Sequence, residues 1–469
     1  MIFSISEFIF FINIAIIWFY LVINAFYLFL LITSIPDVLL RFQEAKRKNI
    51  EFLSDSRILP SVTALVPAYN EEKVITNTVQ SLLRSNYPNL KIIVINDGAT
   101  DNTLPFLKKD FDLIDVFLTF SKKIKTIAEV KGFYQSKKYA NLIVIDKEHS
   151  GKADSLNVGV NLCNTPLLMS IDADTLLEPD AIPILVFSML SKPHTIAEGG
   201  AVYILNGCKY KDGELIDPKM SSSTIEAIQS CEYLRAFLFG RTGWKPFRGP
   251  LVLAGALTML ERQAVLTVGG YNVQAPGEDM EIIVSLHEYM RIHNYPYRIG
   301  YSFSAAAWTH CPSNMIALWS QRARWHRGLI DSLFRHKKLL FNYKFGATGL
   351  LSYPFLFIAE FLGPIIEFFG YIAVALSMYF NIINWKMALL FFIATAGFSG
   401  MITIGTTLIS IISFDKYQRT IDIILQLFLA VFENLGYRQL LALCRVTTTF
   451  RYFLSQLIYK EKPNKSQTW

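Results

Sequence analysis

Residues 61–69 read SVTALVPAY, an apolar run rich in β-branched side chains that stops at the polar residues 70–72 (NEE). Such a run predicts a buried strand that ends where the polar residues begin. Three similar runs follow, at 91–96 (KIIVIN), 141–146 (NLIVID) and 167–172 (LLMSID). Helices are expected between them, one running from Asn70 toward Leu83 and one over 152–163. Strands that alternate with helices predict an α/β domain with a mostly parallel sheet.

Polar residues follow these strands at the place where open α/β sheets bind ligands, beyond the carboxyl ends of the strands. They are Asn70, Glu71, Asp97, Asp172 and Asp174. The pair Asp172 and Asp174 can direct two carboxylates at one hard cation, and Mg²⁺ or Mn²⁺ prefers such oxygen ligands. A solvated loop is the alternative, but the position after an apolar strand favours a metal site.

Two further loops contain groups suited to a nucleotide. Asp97 ends its strand and can accept a hydrogen bond from a base or ribose, although Asp97-Gly98 can also form a simple turn. Residues 149–152 (HSGK) precede a predicted helix, and a helix N-terminus with the lysine Lys152 suits a phosphate. The spacing does not match a Walker A loop, so it gives no support to ATP hydrolysis.

Glu278 and Asp279 come just before the predicted helix 280–292. Acids in this position often serve only as partners of the helix dipole. As a functional pair, one of the two carboxylates can act as the general base toward a hydroxyl nucleophile. Both interpretations stay open at this point.

Gln321, Arg324 and Trp325 are spaced by three and four residues, so in a helix they share one face. The guanidinium fork of an arginine binds phosphate, and the indole offers a flat surface to a sugar. The alternative is a helix at the membrane surface with an interfacial tryptophan. The surrounding run 321–338 holds six Lys or Arg and one Asp, which suits lipid headgroups or another anion. The positive charge is local, so no nucleic acid partner is expected.

The composition points to a membrane protein. Of 469 residues 52% are hydrophobic and 18% charged, which excludes a disordered chain and disfavours an ordinary soluble enzyme. Runs at 8–35, 349–380 and 387–413 are long enough to span a bilayer. A fourth run, 421–437, is interrupted by polar residues and is expected to lie at the interface. The five cysteines lack paired spacing, so reduced thiols are expected rather than disulfides or a zinc site.

These runs divide the chain into four parts. They are an N-terminal transmembrane anchor (1–40), a mixed α/β domain (60–345), C-terminal transmembrane and interfacial helices (346–440) and a basic tail (441–469). The basic residues that set the orientation are Arg41, Lys46, Arg47, Lys48, Lys460, Lys462 and Lys465. By the positive-inside rule the α/β domain and the tail are expected to be cytoplasmic. We therefore expect a multi-pass protein of the cytoplasmic membrane.

Taken in order, the motifs resemble family 2 glycosyltransferases, above all the membrane-integrated, processive branch of cellulose, hyaluronan and poly-N-acetylglucosamine synthases. The residues that carry the resemblance are Val66-Pro67-Ala68-Tyr69-Asn70-Glu71, Asp97-Gly98, Gly151-Lys152-Ala153, Asp172-Ala173-Asp174, Glu278-Asp279 and Gln321-x-x-Arg324-Trp325. The resemblance covers roughly residues 60–330. It implies an α/β nucleotide-sugar-binding domain of the GT-A type with transmembrane helices on both sides, and inverting transfer from a UDP-sugar.

The resemblance also implies a role for each residue. The donor-binding residues would be Tyr69, Glu71, Asp97, Lys152, Asp172, Gln321, Arg324 and Trp325. Asp172 and Asp174 would bind Mg²⁺ or Mn²⁺, and Asp279, in preference to Glu278, would deprotonate the acceptor hydroxyl. The chain departs from the family pattern at Gly277, where a threonine is frequent, and at 252–256 (VLAGA), which disfavours cellulose as the product.

Three functions compete at this stage. The first is synthesis of a β-linked polysaccharide, in which Glu360 and Glu367 could line a polar channel or, equally, form a helix–helix contact or lie at the membrane interface. About three spans make a narrow bundle, so a second copy or an accessory subunit is expected to complete a channel through which the polysaccharide crosses the membrane. The second function is a single transfer to a lipid acceptor. The third, a non-enzymatic transporter or scaffold, is disfavoured because Asp174 and Asp279 are present.

Overall fold

The computed structural model describes residues 5–46, 59–119, 122–380, 385–393, 397, 400–405, 407–408, 416–417, 419–434 and 436–459. The strands are β1 (Val62–Ala68), β2 (Leu90–Asp97), β3 (Leu113–Val116), β4 (Val130–Ser136), β5 (Leu142–Lys147), β6 (Leu167–Ser170), β7 (Thr175–Leu177), β8 (Thr195–Ile204), β9 (Lys209–Lys211), β10 (Glu214–Asp217), β11 (Thr258–Glu261) and β12 (Arg298–Thr309). Ten of them form one sheet, in the order β3-β4-β5-β2-β1-β6-β11-β8-β12-β7, and β9 pairs with β10 in a separate hairpin.

The four strands predicted from the sequence are β1, β2, β5 and β6, and they are confirmed. They lie side by side and pair in parallel in the order β5-β2-β1-β6. The sheet as a whole is mixed, because β3, β4, β7 and β11 run antiparallel to their neighbours. A mostly parallel sheet is thus right for the four central strands, whereas the strands on either side of them include antiparallel pairs. The direction of a strand depends on the neighbour with which it pairs, and that neighbour is not fixed by the strand's own residues.

Helices cover both faces of the sheet and continue toward both ends of the chain. In order they are α1 (Ile5–Lys46), α2 (Ile75–Leu83), α3 (Thr103–Asp110), α4 (Lys152–Leu162), α5 (Ala181–Leu190), α6 (Thr224–Thr242), α7 (Arg262–Thr267), α8 (Glu278–Ile292) and α9 (Met315–Arg335). Further helices are Thr348–Tyr379, Trp385–Phe392, Thr420–Phe432 and Tyr437–Tyr459. Strand side chains such as Leu65 and Ile95 are fully buried beneath α4. Burial on both faces explains why the central strands read as unbroken apolar runs.

The first helix of the domain begins later than predicted. α2 starts at Ile75, and Val74 rather than Asn70 precedes it. Asn70 has a left-handed backbone with φ of 58°. Its Oδ1 accepts a hydrogen bond from the backbone nitrogen of Thr100 at 2.8 Å. The Asn70 side chain therefore joins the loops that follow β1 and β2 instead of capping a helix.

Two described helices are long and apolar enough to cross a membrane, Phe11–Asp37 and Thr348–Tyr379. They match the first two predicted runs. A third candidate arises if the bent pair Thr420–Phe432 and Tyr437–Ile458 counts as one span. The helix Tyr437–Tyr459 includes residue 441, so the predicted tail (441–469) begins inside a helix.

Parts of the orientation argument lie outside the described residues. These parts are Arg47 and Lys48 after the first span, 11 of the 27 residues of the run 387–413, and Lys460, Lys462 and Lys465 in the tail.

Glu360 and Glu367 lie in contacts between helices. The Tyr27 hydroxyl donates to Glu360 Oε1 at 2.7 Å, and the Tyr20 hydroxyl donates to Glu367 Oε2 at 3.0 Å. Each carboxylate also has a basic partner, Arg445 at 3.3 Å from Glu360 and Arg438 at 3.3 Å from Glu367. Of the two interpretations offered by the sequence, the structure shows the helix contact.

Candidate active site

A lysine connects the acids that follow β6 with those that begin α8. The ammonium nitrogen of Lys152, the first residue of α4, lies 2.7 Å from Asp172 Oδ1 and 2.8 Å from Glu278 Oε1. Burial lowers the pKa of Lys152, but the carboxylates of Asp172, Glu278 and Asp279 outweigh burial and hold this pKa well above its usual value. Lys152 is therefore charged, and it holds the two acidic segments together.

Asp174 and Glu71 lie within electrostatic reach of Asp172. Burial and the Asp172 carboxylate raise the pKa of Asp174 to about 6, although the Thr309 hydroxyl donates to Asp174 Oδ1 at 3.1 Å. Burial, Asp174 and Asp172 raise the pKa of Glu71 to about 7. Crowded carboxylates disfavour each other's charged form. The end of β1 and the loop after β6 thus form a strongly acidic pocket.

A divalent cation fits the chemistry of this pocket, because it would offset the repulsion that raises these pKa values. The protein alone supplies an incomplete ligand set. Within the described ranges, no group of three or more His, Cys, Asp or Glu side chains is arranged to hold an ion. Asp172 and Asp174 could hold the cation only with further oxygens from a phosphate and water, as is common for Mg²⁺.

The Asp279 side chain has a fixed orientation. Its Oδ2 accepts from the backbone nitrogen of Gly255 at 3.1 Å, and its Oδ1 accepts from the nitrogen of Met280 at 2.8 Å. Burial and neighbouring Glu278 raise the pKa of Asp279, and Lys152 opposes them. A carboxylate with a raised pKa is a stronger base than an exposed one.

Gly255 fits this position because it has no side chain. A Cβ atom there would lie 2.8 Å from the ammonium nitrogen of Lys152 and 3.4 Å from Asp279 Oδ2. The sequence argument did not single out Gly255, which lies in the atypical segment 252–256. A glycine beside two alanines gave no signal that its backbone contacts the acids.

α9 carries Gln321, Arg324 and Trp325, and these three side chains differ in how far they are exposed to solvent. Gln321 is half-buried and its Oε1 has no hydrogen-bond partner, whereas Arg324 and Trp325 are exposed. The arginine with the strongest contacts is Arg322, which sequence reasoning missed. Both of its terminal nitrogens lie 2.9 Å from the carboxylate of Glu232, and its guanidinium lies 4.4 Å from the centre of the Trp325 ring. Arg322 thus anchors α9 to α6 and supports the indole.

α9 approaches the acidic pair Glu278 and Asp279 through two glycines. A Cβ atom on Gly328 would lie 2.9 Å from the Cα atom of Gly277, the residue before Glu278. A Cβ atom on Gly277 would likewise lie 3.1 Å from Gly328 Cα. The position where threonine was expected therefore holds glycine for a structural reason, since α9 leaves no space for a side chain.

Asp97 lies apart from these acids, in a buried ion pair with Lys147. Lys147, the last residue of β5, is fully buried, and its ammonium contacts Asp97 Oδ1. Asp97 also accepts backbone hydrogen bonds from Ser150 at 3.1 Å and Gly151 at 2.9 Å. Both carboxylate oxygens are thus already engaged within the protein. Sequence reasoning missed Lys147, because a lysine after five strand residues resembles a solvent-exposed strand end.

Tyr69 stands beside this ion pair. Its ring centre lies 4.2 Å from that of His149, and both side chains are substantially exposed. His149 Nδ1 lies 2.9 Å from Asp97 Oδ2. Asp97 therefore fixes the loop 148–151, which presents His149 to Tyr69 and leads directly into Lys152.

Comparison with known sequences gives matches over the domain that contains these residues. Residues 60–328 match the family described as glycosyltransferase like family 2. Poly-β-1,6-N-acetyl-D-glucosamine synthase of Staphylococcus aureus is 28% identical over 280 residues, which are 59% of this chain and 56% of that protein. The synthase of the same name from Staphylococcus epidermidis is 26% identical over 283 residues, covering 60% and 58%. The match thus spans a little over half the length of these relatives.

A solved structure shares the fold. The mannosyltransferase PcManGT from Pyrobaculum calidifontis, solved in complex with GDP-Man and Mn²⁺, superposes with a TM-score of 0.50 at 16% identity. The match covers 89% of this chain and 99% of that one. At this identity the likeness concerns the fold alone, and it supports the predicted GT-A type of α/β domain.

The buried ion pair generates a first prediction. Lys147→Met keeps the volume of the side chain but leaves the Asp97 carboxylate buried without its cation, so we expect a loss of about 3–5 kcal/mol in stability. Thermal unfolding of the purified protein measures this loss. The double variant Lys147→Met with Asp97→Asn should regain part of it, and Lys137→Met on the exposed surface serves as the control. A Lys147→Met protein as stable as the parent would refute the pairing.

The glycine contact generates a second prediction. Gly328→Ala forces α9 away from Gly277, because the nearest atoms are backbone. We expect transferase activity to fall at least about tenfold while the domain stays folded, in keeping with the cost of displacing catalytic groups. Gly240→Ala, in a helix with space for a Cβ atom, should leave activity unchanged. Equal activity of the two variants would show that the contact does not position the acids.

The acidic pocket generates a third prediction. Raised pKa values mean that Asp174 and Glu71 hold protons more tightly in the folded chain than in the unfolded one. Their stabilising contribution is therefore present at low pH and is lost as the pH rises from about 4 through 6 to 7. The metal-free melting temperature should fall across that range, and Mn²⁺ with UDP should restore it at the upper end. Asp174→Asn should flatten the pH profile, and an unchanged profile would count against the pocket.

Proposed function

The chain belongs to glycosyltransferase-like family 2, and from this premise we propose that it transfers a sugar from a UDP-sugar to a growing β-linked polysaccharide. One observation carries the proposal. Lys152 holds Asp172, on the donor side, against Glu278 next to Asp279. Groups suited to a diphosphate and a group suited to remove a proton therefore share one site.

On the donor side, Asp172 and Asp174 would hold Mg²⁺ or Mn²⁺ together with the diphosphate. The bound metal would neutralise charge that develops on the leaving diphosphate. Lys152 would exchange a carboxylate partner for a phosphate oxygen and so stabilise the same charge. The raised pKa of Asp174 supports this arrangement, since a nearby cation would lower it and keep the carboxylate ionised.

The nucleoside would lie against the exposed pair of Tyr69 and His149, with Glu71 nearby. Asp97 has fewer free lone pairs than the sequence argument assumed, because Lys147 and two backbone nitrogens engage it. We assign it a role in holding the loop that presents His149 and Lys152. A base could contact Asp97 directly only by replacing one of those bonds.

On the acceptor side, Asp279 would remove the proton from the attacking hydroxyl. Its fixed hydrogen bond to Gly255 and its raised pKa suit a base. One base opposite the leaving group is the requirement for inversion, as in glycosidases that invert. Gln321, Arg324 and Trp325 would contact the diphosphate and the acceptor sugar, and the Trp325 ring is supported by Arg322.

The names of the relatives favour a polymer over a single lipid-linked product, and N-acetylglucosamine is the first donor sugar to test. The alternative, one transfer to a lipid acceptor, uses the same donor chemistry. A hydrophilic polymer needs a path across the bilayer. We propose a multi-pass protein of the cytoplasmic membrane with the catalytic domain on the cytoplasmic side. A second copy or an accessory subunit would complete the path.

The test is UDP release by membrane-reconstituted protein against a panel of UDP-sugars, with Mg²⁺, Mn²⁺ or EDTA, and with the products sized on a gel. Metal-dependent release with one sugar and a ladder of long products would support the proposal and identify the donor. A single lipid-soluble product would support the alternative. Release that EDTA leaves unchanged would contradict the metal role of Asp172 and Asp174.

The assignment of the base is tested by Asp279→Asn. We expect the transfer rate to fall by about 10²–10⁴-fold, the usual contribution of general base catalysis, with UDP affinity nearly unchanged. Asp331→Asn on α9 makes the same chemical change at a surface ion pair and should retain full activity. Normal turnover by the Asp279 variant would move the role of base to another residue.

A further inference from the structure

A basic cavity lies at the edge of the sheet opposite the acids. Its volume is about 560 Å³, within the range of ligand sites. It is located where β8 and β12 begin, and there the backbone nitrogen of Arg298 donates to the carbonyl of His194 at 2.8 Å. Thr309, which contacts Asp174, stands at the other end of β12, roughly 30 Å away when measured along the paired strand β8. The cavity is therefore separate from the candidate active site.

Positive charge dominates the wall of this cavity. Its ionisable residues are Lys192, His194, Lys245, Arg248 and Arg298, together with Tyr297, and no acid lines it. Arg248 donates to the carbonyl of Tyr297 at 3.4 Å and lies over the same ring. In the part of the chain that the structure describes, neither Arg248 nor Arg298 forms an ion pair with a carboxylate. Two guanidinium groups without such a partner suit the oxygens of a phosphate.

The cavity lies next to the point where the first candidate span ends. The ammonium nitrogen of Lys245, on its wall, is 2.6 Å from Asp37 Oδ1, and Asp37 is the last residue of the span Phe11–Asp37. A Cβ atom on Gly243 would lie 2.5 Å from the carbonyl oxygen of Leu30, so the chain before the cavity packs directly on the span. The end of a span marks the depth of the lipid headgroups.

Exposed apolar side chains stand beside the basic groups. α5 ends at Leu190, two residues before Lys192, and Leu190 is 60% exposed. Phe187, one turn earlier on the same side of the helix, is 55% exposed. Large apolar side chains next to a basic cluster are typical of a surface that rests on an anionic membrane.

We propose that this cavity binds the phosphate of an anionic phospholipid from the leaflet next to the catalytic domain. The headgroup phosphate contacts Arg248 and Arg298, and the acyl chains follow the apolar side of the Phe11–Asp37 span. The adjacent apolar residues Phe187 and Leu190 favour a phospholipid over a free phosphate, because a free phosphate has no apolar group to contact them. The proposal does not depend on the sugar, the acceptor or the roles of the acids.

The test is equilibrium binding of a short-chain fluorescent phosphatidylglycerol to the full-length protein in neutral detergent. We expect saturable binding that unlabelled phosphatidylglycerol displaces and that phosphatidylcholine or inorganic phosphate does not. Arg248→Gln with Arg298→Gln should weaken binding at least about tenfold, as expected for the loss of charge-assisted hydrogen bonds. The control variant Lys131→Gln with Lys137→Gln removes the same charge from exposed residues in and just after β4, far from β8 and β12 in the sheet. This variant should bind the lipid normally.

Each other outcome overturns the proposal. Equal displacement by inorganic phosphate would indicate a soluble anion instead of a lipid. Undiminished binding by the arginine variant would place the lipid elsewhere. Should the double arginine variant melt at a much lower temperature, Lys192→Gln on the exposed rim replaces it, with about a threefold loss of affinity expected and no loss refuting the site.

Discussion

The ammonium group of Lys152 allows the acids of this domain to occupy one place. Asp172 comes from the loop after β6 and Glu278 from the start of α8, and these segments are more than a hundred residues apart in the chain. Bringing two carboxylates together in a partly buried site is unfavourable unless a cation lies between them. Asp174 and Glu71 lie farther from that cation, and their raised pKa values show that the neutralisation is incomplete. The remaining negative charge is concentrated where a donor diphosphate with its metal would bind.

Close backbone contacts set how accurately these charges are placed. Gly255 lets the main chain donate to Asp279 while it lies against Lys152, and Gly328 lets α9 press on Gly277. A side chain at Gly255 would occupy the space of the Lys152 ammonium, and one at Gly328 would occupy the space of the Gly277 backbone. The hydrogen bond from Gly255 then fixes the carboxylate of the candidate base, which an exposed loop could not do. The charges thus determine which groups meet, and the glycines determine their separation.

The sequence predicted the central strands and the proximity of Glu71, Asp172 and Asp174, because both follow from local chemistry. Strands buried on two faces must be continuously apolar, and polar residues that follow parallel strands must meet at one edge. Other features depend on distant contacts. Lys147 reads as an exposed strand end until Asp97 is placed beside it, and Gly328 reads as a weak point in a helix until Gly277 lies against it. Likewise, Asn70 resembles a helix cap, but its side chain bonds to Thr100 on the next loop.

α9 links the candidate active site to the helices beyond residue 345. Its Arg322 is held by Glu232 of α6, and its His326 Nε2 lies 2.8 Å from the hydroxyl of Thr449 on the helix Tyr437–Tyr459. Two residues after His326, Gly328 touches Gly277, the residue before the acidic pair Glu278 and Asp279. α9 cannot shift without breaking a bidentate ion pair or moving Gly277, and both changes are costly. The position of Asp279 is therefore set as much by the helices that pack on α9 as by the sheet that carries the donor-side acids.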